Sequence, residues 1–141
     1  MNFMETALEI AKDSGEDLPI GAVLVRNGEV LAKAHNEKEK RNDVTAHAEM
    51  LVIQQAHKIL QTALLNDCEL YVTLEPCPMC AWAILNARIS KVFFGAYDNM
   101  YGALGSKTDL RKFLNSKTVV KGGISEEQCS TLLKEYFKKI R

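Results

Sequence analysis

Residues 69–96 read ELYVTLEPCPMCAWAILNARISKVFFGA, and they divide into strand, helix and strand. Glu69 to Thr73 is a β-rich run. Cys77-Pro78 opens a helix, because proline suits a first helical turn, and Trp82, Ile84 and Leu85 carry it to Asn86. Lys91 to Ala96 is again β-rich, so the stretch points to an α/β fold.

The flanking sequence extends the same alternation. Phe3, Met4, Ala7, Leu8, Ile10 and Ala11 recur at helical spacing, which predicts an amphipathic helix over residues 2–14. Ala22 to Arg26 and Glu29 to Ala34 are β-rich runs joined by Asn27-Gly28, a pair that tolerates the positive φ angles of a two-residue hairpin turn. Glu37 to Asp43 is polar and reads as an exposed loop. Thr45 caps a helix running to about Leu60, with Ala48, Leu51, Val52, Ala56, Ile59 and Leu60 as its buried face. After the fourth strand, the segment from Gly95 to Gly105 is a loop. Thr118 to Lys121 is a short fifth strand ended by Gly122-Gly123. Ser125 and Gln128 form a capping box for a last helix through Ile140. The order predicts one three-layer α/β/α domain over residues 1–141, built on a five-stranded mixed sheet.

Composition agrees with one globular unit: of 141 residues, 47% are apolar and 26% charged. No apolar run is long enough to span a bilayer and no signal-peptide pattern follows Met1, so the expected compartment is the cytoplasm. Eighteen basic and eighteen acidic side chains cancel, which argues against a uniformly basic nucleic-acid coat. The charge is polarised, however. Residues 107–141 hold nine Lys or Arg and four Asp or Glu, a net of +5, and residues 1–106 a net of −5.

The chemistry sits in two short segments. His47-Ala48-Glu49 precedes Pro76-Cys77-Pro78-Met79-Cys80 by a span of twenty-seven residues from Glu49 to Pro76. One imidazole and two thiolates suit tetrahedral zinc, and three protein ligands leave a coordination position open, as catalytic zinc requires. Both segments open predicted helices, whose free N–H groups favour thiolate over thiol. Among possible fourth ligands, His57 lies ten residues on in the same helix, about 15 Å away, and Cys68 is separated from Cys77 by a strand. Spacing leaves His35 and Cys129 open as ligands; Cys68 and Cys129 read as buried small apolar residues. Residues two apart on an ideal helix point about 200° apart. Glu49 therefore reaches the metal only if the first turn departs from the helix.

These residues carry a resemblance. Thr45 to Met50, Leu70 to Ala81, and Phe94-Gly95-Ala96-Tyr97-Asp98, together with Pro19 to Val25 and Gly102 to Ser106, resemble the bacterial tRNA-specific adenosine deaminases of the cytidine deaminase superfamily. The resemblance implies that His47, Cys77 and Cys80 hold Zn2+ and that Glu49 is the general acid and base. It implies that Asn36 and the backbone N–H of Ala48 contact the bound nucleoside and that Asp98 lies close to the ribose. It further implies a homodimer acting on a tRNA anticodon stem-loop, where a splayed-out adenosine becomes inosine. The chain departs from the family pattern at Val44, Trp82 and Met100-Tyr101, and in a shorter segment between Gly105 and Gly122. Two other readings keep the metal set: a deaminase of a free base or nucleoside, of the guanine or cytosine type, and an inactive zinc-stabilised partner subunit. Retention of Glu49 speaks against the last, since a structural metal needs no proton shuttle.

Overall fold

The computed structural model describes residues 2–140. Its elements are α1 (Phe3–Ala11), β1 (Gly21–Arg26), β2 (Glu29–His35), α2 (Lys38–Arg41), α3 (Ala48–Leu60), β3 (Cys68–Leu74), α4 (Pro78–Asn86), β4 (Lys91–Ala96), α5 (Arg111–Leu114), β5 (Val119–Lys121) and α6 (Glu126–Lys139). The five strands form one mixed sheet in the order β2-β1-β3-β4-β5. β1 pairs antiparallel with β2 and β3, whereas β3, β4 and β5 run parallel. No helix among the described residues is long and apolar enough to cross a membrane.

Alternation along the strands builds two cores. Ala22, Leu24, Leu70, Val72, Val92 and Phe94 face α3 and α4 on one side. Val23, Val25 and Tyr71 face α1 and α6 on the other, where Tyr71 stacks on Phe93 with ring centroids 4.7 Å apart. Leu24, Leu70, Ile84, Ile89 and Val92 are wholly buried, and each such side chain contributes about 1.5–3 kcal/mol. The expected three layers are thus present. The β1–β2 turn is also as expected, with Asn27 at φ 52° and Gly28 at φ 77°.

Four local expectations are corrected. The first helix ends at Ala11 and tightens into a 3-10 turn, Lys12–Ser14, before Gly15 at φ 63°. The polar stretch from Glu37 to Asp43 contains the short helix α2, because Asp17 accepts the backbone N–H groups of Glu39 and Lys40 at 2.6 and 3.1 Å. Thr45 does not cap α3. Its N–H and hydroxyl both donate to Asp43 Oδ1, at 2.8 and 2.7 Å, and His47 takes the N-cap position instead. Ser125 adopts a left-handed conformation, φ 54°, so its side chain makes no capping bond to α6.

Helix α1 lies against β1 where Gly21 leaves no side chain. A Cβ there would meet the carbonyl oxygen of Ala7 and come within 2.8 Å of the Ala11 nitrogen. Gly21→Ala forces α1 away from the sheet and is expected to cost about 1–3 kcal/mol. A lower urea midpoint at unchanged slope is the result to look for.

Candidate metal centre and active site

The end of β3 and the start of α3 meet on one side of the sheet. Chain leaving Leu74 passes through Glu75 and Pro76 to Cys77, which is the N-cap of α4 in extended conformation, φ −74°, ψ 172°. His47 is the N-cap of α3 in the same conformation, φ −75°, ψ 150°. Neither side chain caps its own helix; both turn towards each other. His47 Nδ1 lies 3.7 Å from Cys77 Sγ and 3.4 Å from Cys80 Sγ, and the three donor atoms all fall within 4.8 Å of one another. Tetrahedral zinc, with Zn–S about 2.3 Å and Zn–N about 2.0–2.1 Å, separates nitrogen from sulfur by about 3.6 Å. The donors therefore have the spacing and the chemistry to hold a metal ion.

Charge within the cluster is shared unevenly. The Cys80 thiol donates to the Cys77 sulfur, which lowers Cys77 to about 4 with His47 assisting, and the same bond, with burial, raises Cys80. The bond to Cys77 raises His47 as well. Burial raises Glu49 to about 7, against its own backbone N–H. Glu49 is 4% exposed. Because His47 is not helical, the 200° separation of an ideal helix does not apply, and Glu49 sits on the cluster side of the first turn beside Cys77, Cys80 and His47.

No fourth protein ligand joins the set among the described residues. His57 Nε2 is 3.0 Å from the Ala63 carbonyl, and His35 Nδ1 is 3.2 Å from that of Asn36. Cys68 is buried in the core between the sheet and the α3–α4 layer, and Cys129 in the α1–α6 layer. Burial raises both thiols to about 11.

The other residues singled out from sequence occupy the flanks. Ala48 is wholly buried, and its N–H, in the first turn of α3, has no hydrogen-bond acceptor among the described residues. Asn36 is buried at the end of β2; its Nδ2 donates to Leu18 O and its Oδ1 accepts from Lys38 N–H. Glu37 N–H, donating to Ala46 O at 2.9 Å, fastens that segment next to His47. Asp98 Oδ1 accepts the N–H groups of Met100 and Tyr101, both at 3.0 Å. Two buried acids were not apparent from the sequence: Asp17, which caps α2, and Glu75, which gathers the loop after β4. A carboxylate closing an apolar strand directly before Pro-Cys was the available signal for Glu75.

Comparison with known proteins places the chain. The model of the MafB19-like deaminase family matches residues 1–141. A tRNA-specific adenosine deaminase of Bacillus subtilis is 46% identical, covering 99% of this chain and 89% of that protein, and its counterpart in Aquifex aeolicus is 44% identical over 99% and 94%. A structure from a study of A-to-I editing by tRNA:A34 deaminases at the wobble position of transfer RNA superposes with TM-score 0.83 at 43% identity, covering 93% of this chain and 98% of that one. A guanine deaminase from Bacillus subtilis superposes with TM-score 0.66 at 42% identity, over 69% of this chain and 66% of that one. By a family model that spans every residue and by relatives matched over nearly their whole length, the chain belongs to the MafB19-like deaminases.

Proposed function

We propose that the protein is a zinc-dependent aminohydrolase converting adenosine to inosine at the wobble position of a tRNA anticodon loop, working in the cytoplasm as a homodimer. The observation that carries this reading is a three-donor cluster, His47, Cys77 and Cys80, with a buried carboxylate at its edge. When bound, zinc supplies Lewis acidity that makes water an effective nucleophile near neutral pH.

The chain's own groups account for the rest. Glu49, shielded from bulk solvent, takes a proton from the attacking water and delivers protons to N1 of adenine and to the departing amino nitrogen. Water oxygen adds at C6, the C6–N6 bond breaks, and ammonia leaves, so adenosine plus water gives inosine plus ammonia. The unpartnered N–H of Ala48 faces the base. Asn36 keeps one amide hydrogen beyond its bond to Leu18 O, and Asp98 keeps its second carboxylate oxygen, for the nucleoside. Val44, Trp82, Met100 and Tyr101 are exposed apolar side chains available to RNA or to a second copy.

The guanine deaminase likeness favours one second reading, in which the same centre acts on a free base. Incubation with an adenosine-containing anticodon stem-loop and, separately, with guanine, cytosine and free nucleosides separates the two. Inosine in the stem-loop is the expected product; turnover of free compounds alone would reject the RNA reading. Glu49→Ala is expected to keep one zinc per chain while turnover falls by about 10²–10⁴, whereas His47→Ala and Cys80→Ala lose the metal, as metal analysis would show. Full activity in Glu49→Ala would sink the mechanism.

The basic C-terminal part offers phosphate contacts. Lys134, Lys138 and Lys139 are exposed on α6 and form no ion pair among the described residues; Arg141 lies outside them. Neutralising Lys138 and Lys139 is expected to weaken stem-loop binding and to flatten its log–log salt dependence by about 1 to 2, with zinc content unchanged.

A further inference from the structure

Glu75 is 2% exposed, yet no cation pairs with it among the described residues. Its carboxylate is satisfied by one loop instead. Oε1 accepts the Asp98 N–H at 3.1 Å and the Ser106 hydroxyl, and Oε2 accepts the N–H groups of Leu104 and Ser106 at 3.2 and 3.0 Å. Four donors from residues 98–106 therefore converge on a single side chain. Gly102 makes the approach feasible, since a Cβ there would meet the Asp98 carbonyl and come within 2.6 Å of Glu75 Oε1. Ala103 N–H donates to Pro76 O at 2.9 Å, so the loop is also fastened to the residue before Cys77. From this anchored base the turn at Asp98 projects Met100 and Tyr101 into solvent.

We propose that Glu75 is a positioning residue for the substrate: its buried carboxylate fixes the loop from Asp98 to Ser106 beside the metal centre and sets how RNA seats there. The anchor rests on geometry alone; the identity of the seated ligand rests on the RNA reading above. Glu75 touches none of the three donor atoms through a hydrogen bond, so its effect falls on fit and not on the proton transfers. Burying an acid with several aligned donors is costly to imitate: an amide in its place turns an NH2 group against incoming N–H groups.

The test uses the full-length, zinc-loaded protein with Glu75→Gln and, as a milder variant, Ser106→Ala. Three quantities are read: zinc per chain, amide hydrogen exchange over residues 98–106 without substrate, and KM and kcat on the stem-loop. For Glu75→Gln, exchange at Asp98, Leu104 and Ser106 is expected to quicken at least tenfold and KM to rise at least tenfold. Zinc stays at one per chain and kcat within threefold. Ser106→Ala, which removes one donor, is expected to raise KM about threefold and decides the matter if Glu75→Gln does not fold. Unchanged loop exchange overturns the anchor. A fall in kcat at constant KM, or loss of zinc, overturns the positioning role, because Glu75 would then be supporting Cys77. A wild-type chain that deaminates only free bases removes the RNA reading and the substrate half of this proposal, while the exchange rates still report the anchor.

Discussion

The structure depends on two helix N-termini brought face to face with their capping positions given over to other work. Ser, Thr, Asp and Asn at an N-cap each stabilise a helix by about 0.5–2 kcal/mol. At the starts of α3 and α4 those positions hold His47 and Cys77, which make no capping bond. Extended backbone at both residues throws the side chains off the helix axes and towards one another. The N–H of Ala48, at the first position of α3, has no acceptor among the described residues. A non-helical His47 also lets Glu49 and the imidazole share one side of α3, which a regular helix would forbid. The three-donor cluster and the buried acid beside it thus follow from the same two backbone turns.

Two helices uncapped by their own residues need support from elsewhere, and the sheet supplies it. Parallel pairing of β3 with β4 continues through Glu75 N–H to Ala96 O at 2.9 Å, so the segment entering α4 is held to within one residue of Pro76. Wholly buried Val52, Ile84 and Ala81 then seat α3 and α4 on the same face. Polar loops on either side of the centre are held differently. Each is gathered by one buried carboxylate that accepts backbone N–H groups, Asp17 for the segment around α2 and Glu75 for the segment after β4. Buried acids without cations are costly unless hydrogen-bonded, and here Asp17 accepts from two donors and Glu75 from four.

This division explains what could be read from the sequence. Elements formed by local pattern were legible: the strands as β-rich runs, the β1–β2 turn by Asn27-Gly28, α3 by its apolar face and α4 by the proline in its first turn. The clustering of His47, Cys77 and Cys80 was legible too, because residue type and order restrict the chemistry, and their donor atoms do fall within 4.8 Å of one another. Missed features share a non-local cause. α2 exists through Asp17, about twenty residues upstream, so its sequence alone reads as polar loop. Thr45 looked like a cap, but its hydroxyl donates to Asp43 Oδ1 and His47 takes the N-cap position. Ser125 has the right type and neighbours and a left-handed φ of 54°, which residue type and spacing do not reveal. Ligand candidates His35 and Cys129 could be set aside only once their layers were known, Cys129 lying beneath the sheet against Gly95.

Formal neutrality also takes on a different meaning once positions are known. In the acid-rich part of the chain, Asp17, Glu49 and Glu75 are buried, while Glu37 and Asp67 face Arg41 and Arg26. Several of its negative charges therefore contribute little to the outer surface. In the basic part, Arg111 is the only cation paired among the described residues, with Asp109. Lys107, Lys112, Lys117, Lys121, Lys134, Lys138 and Lys139 are exposed and form no ion pair among the described residues. Screening at physiological salt limits each charge to about 8 Å, so an approaching phosphate responds to the lysines near it and not to the sum over the molecule. Zero net charge therefore does not exclude a locally basic patch, because Asp17, Glu49 and Glu75 are counted but buried while these lysines stay exposed.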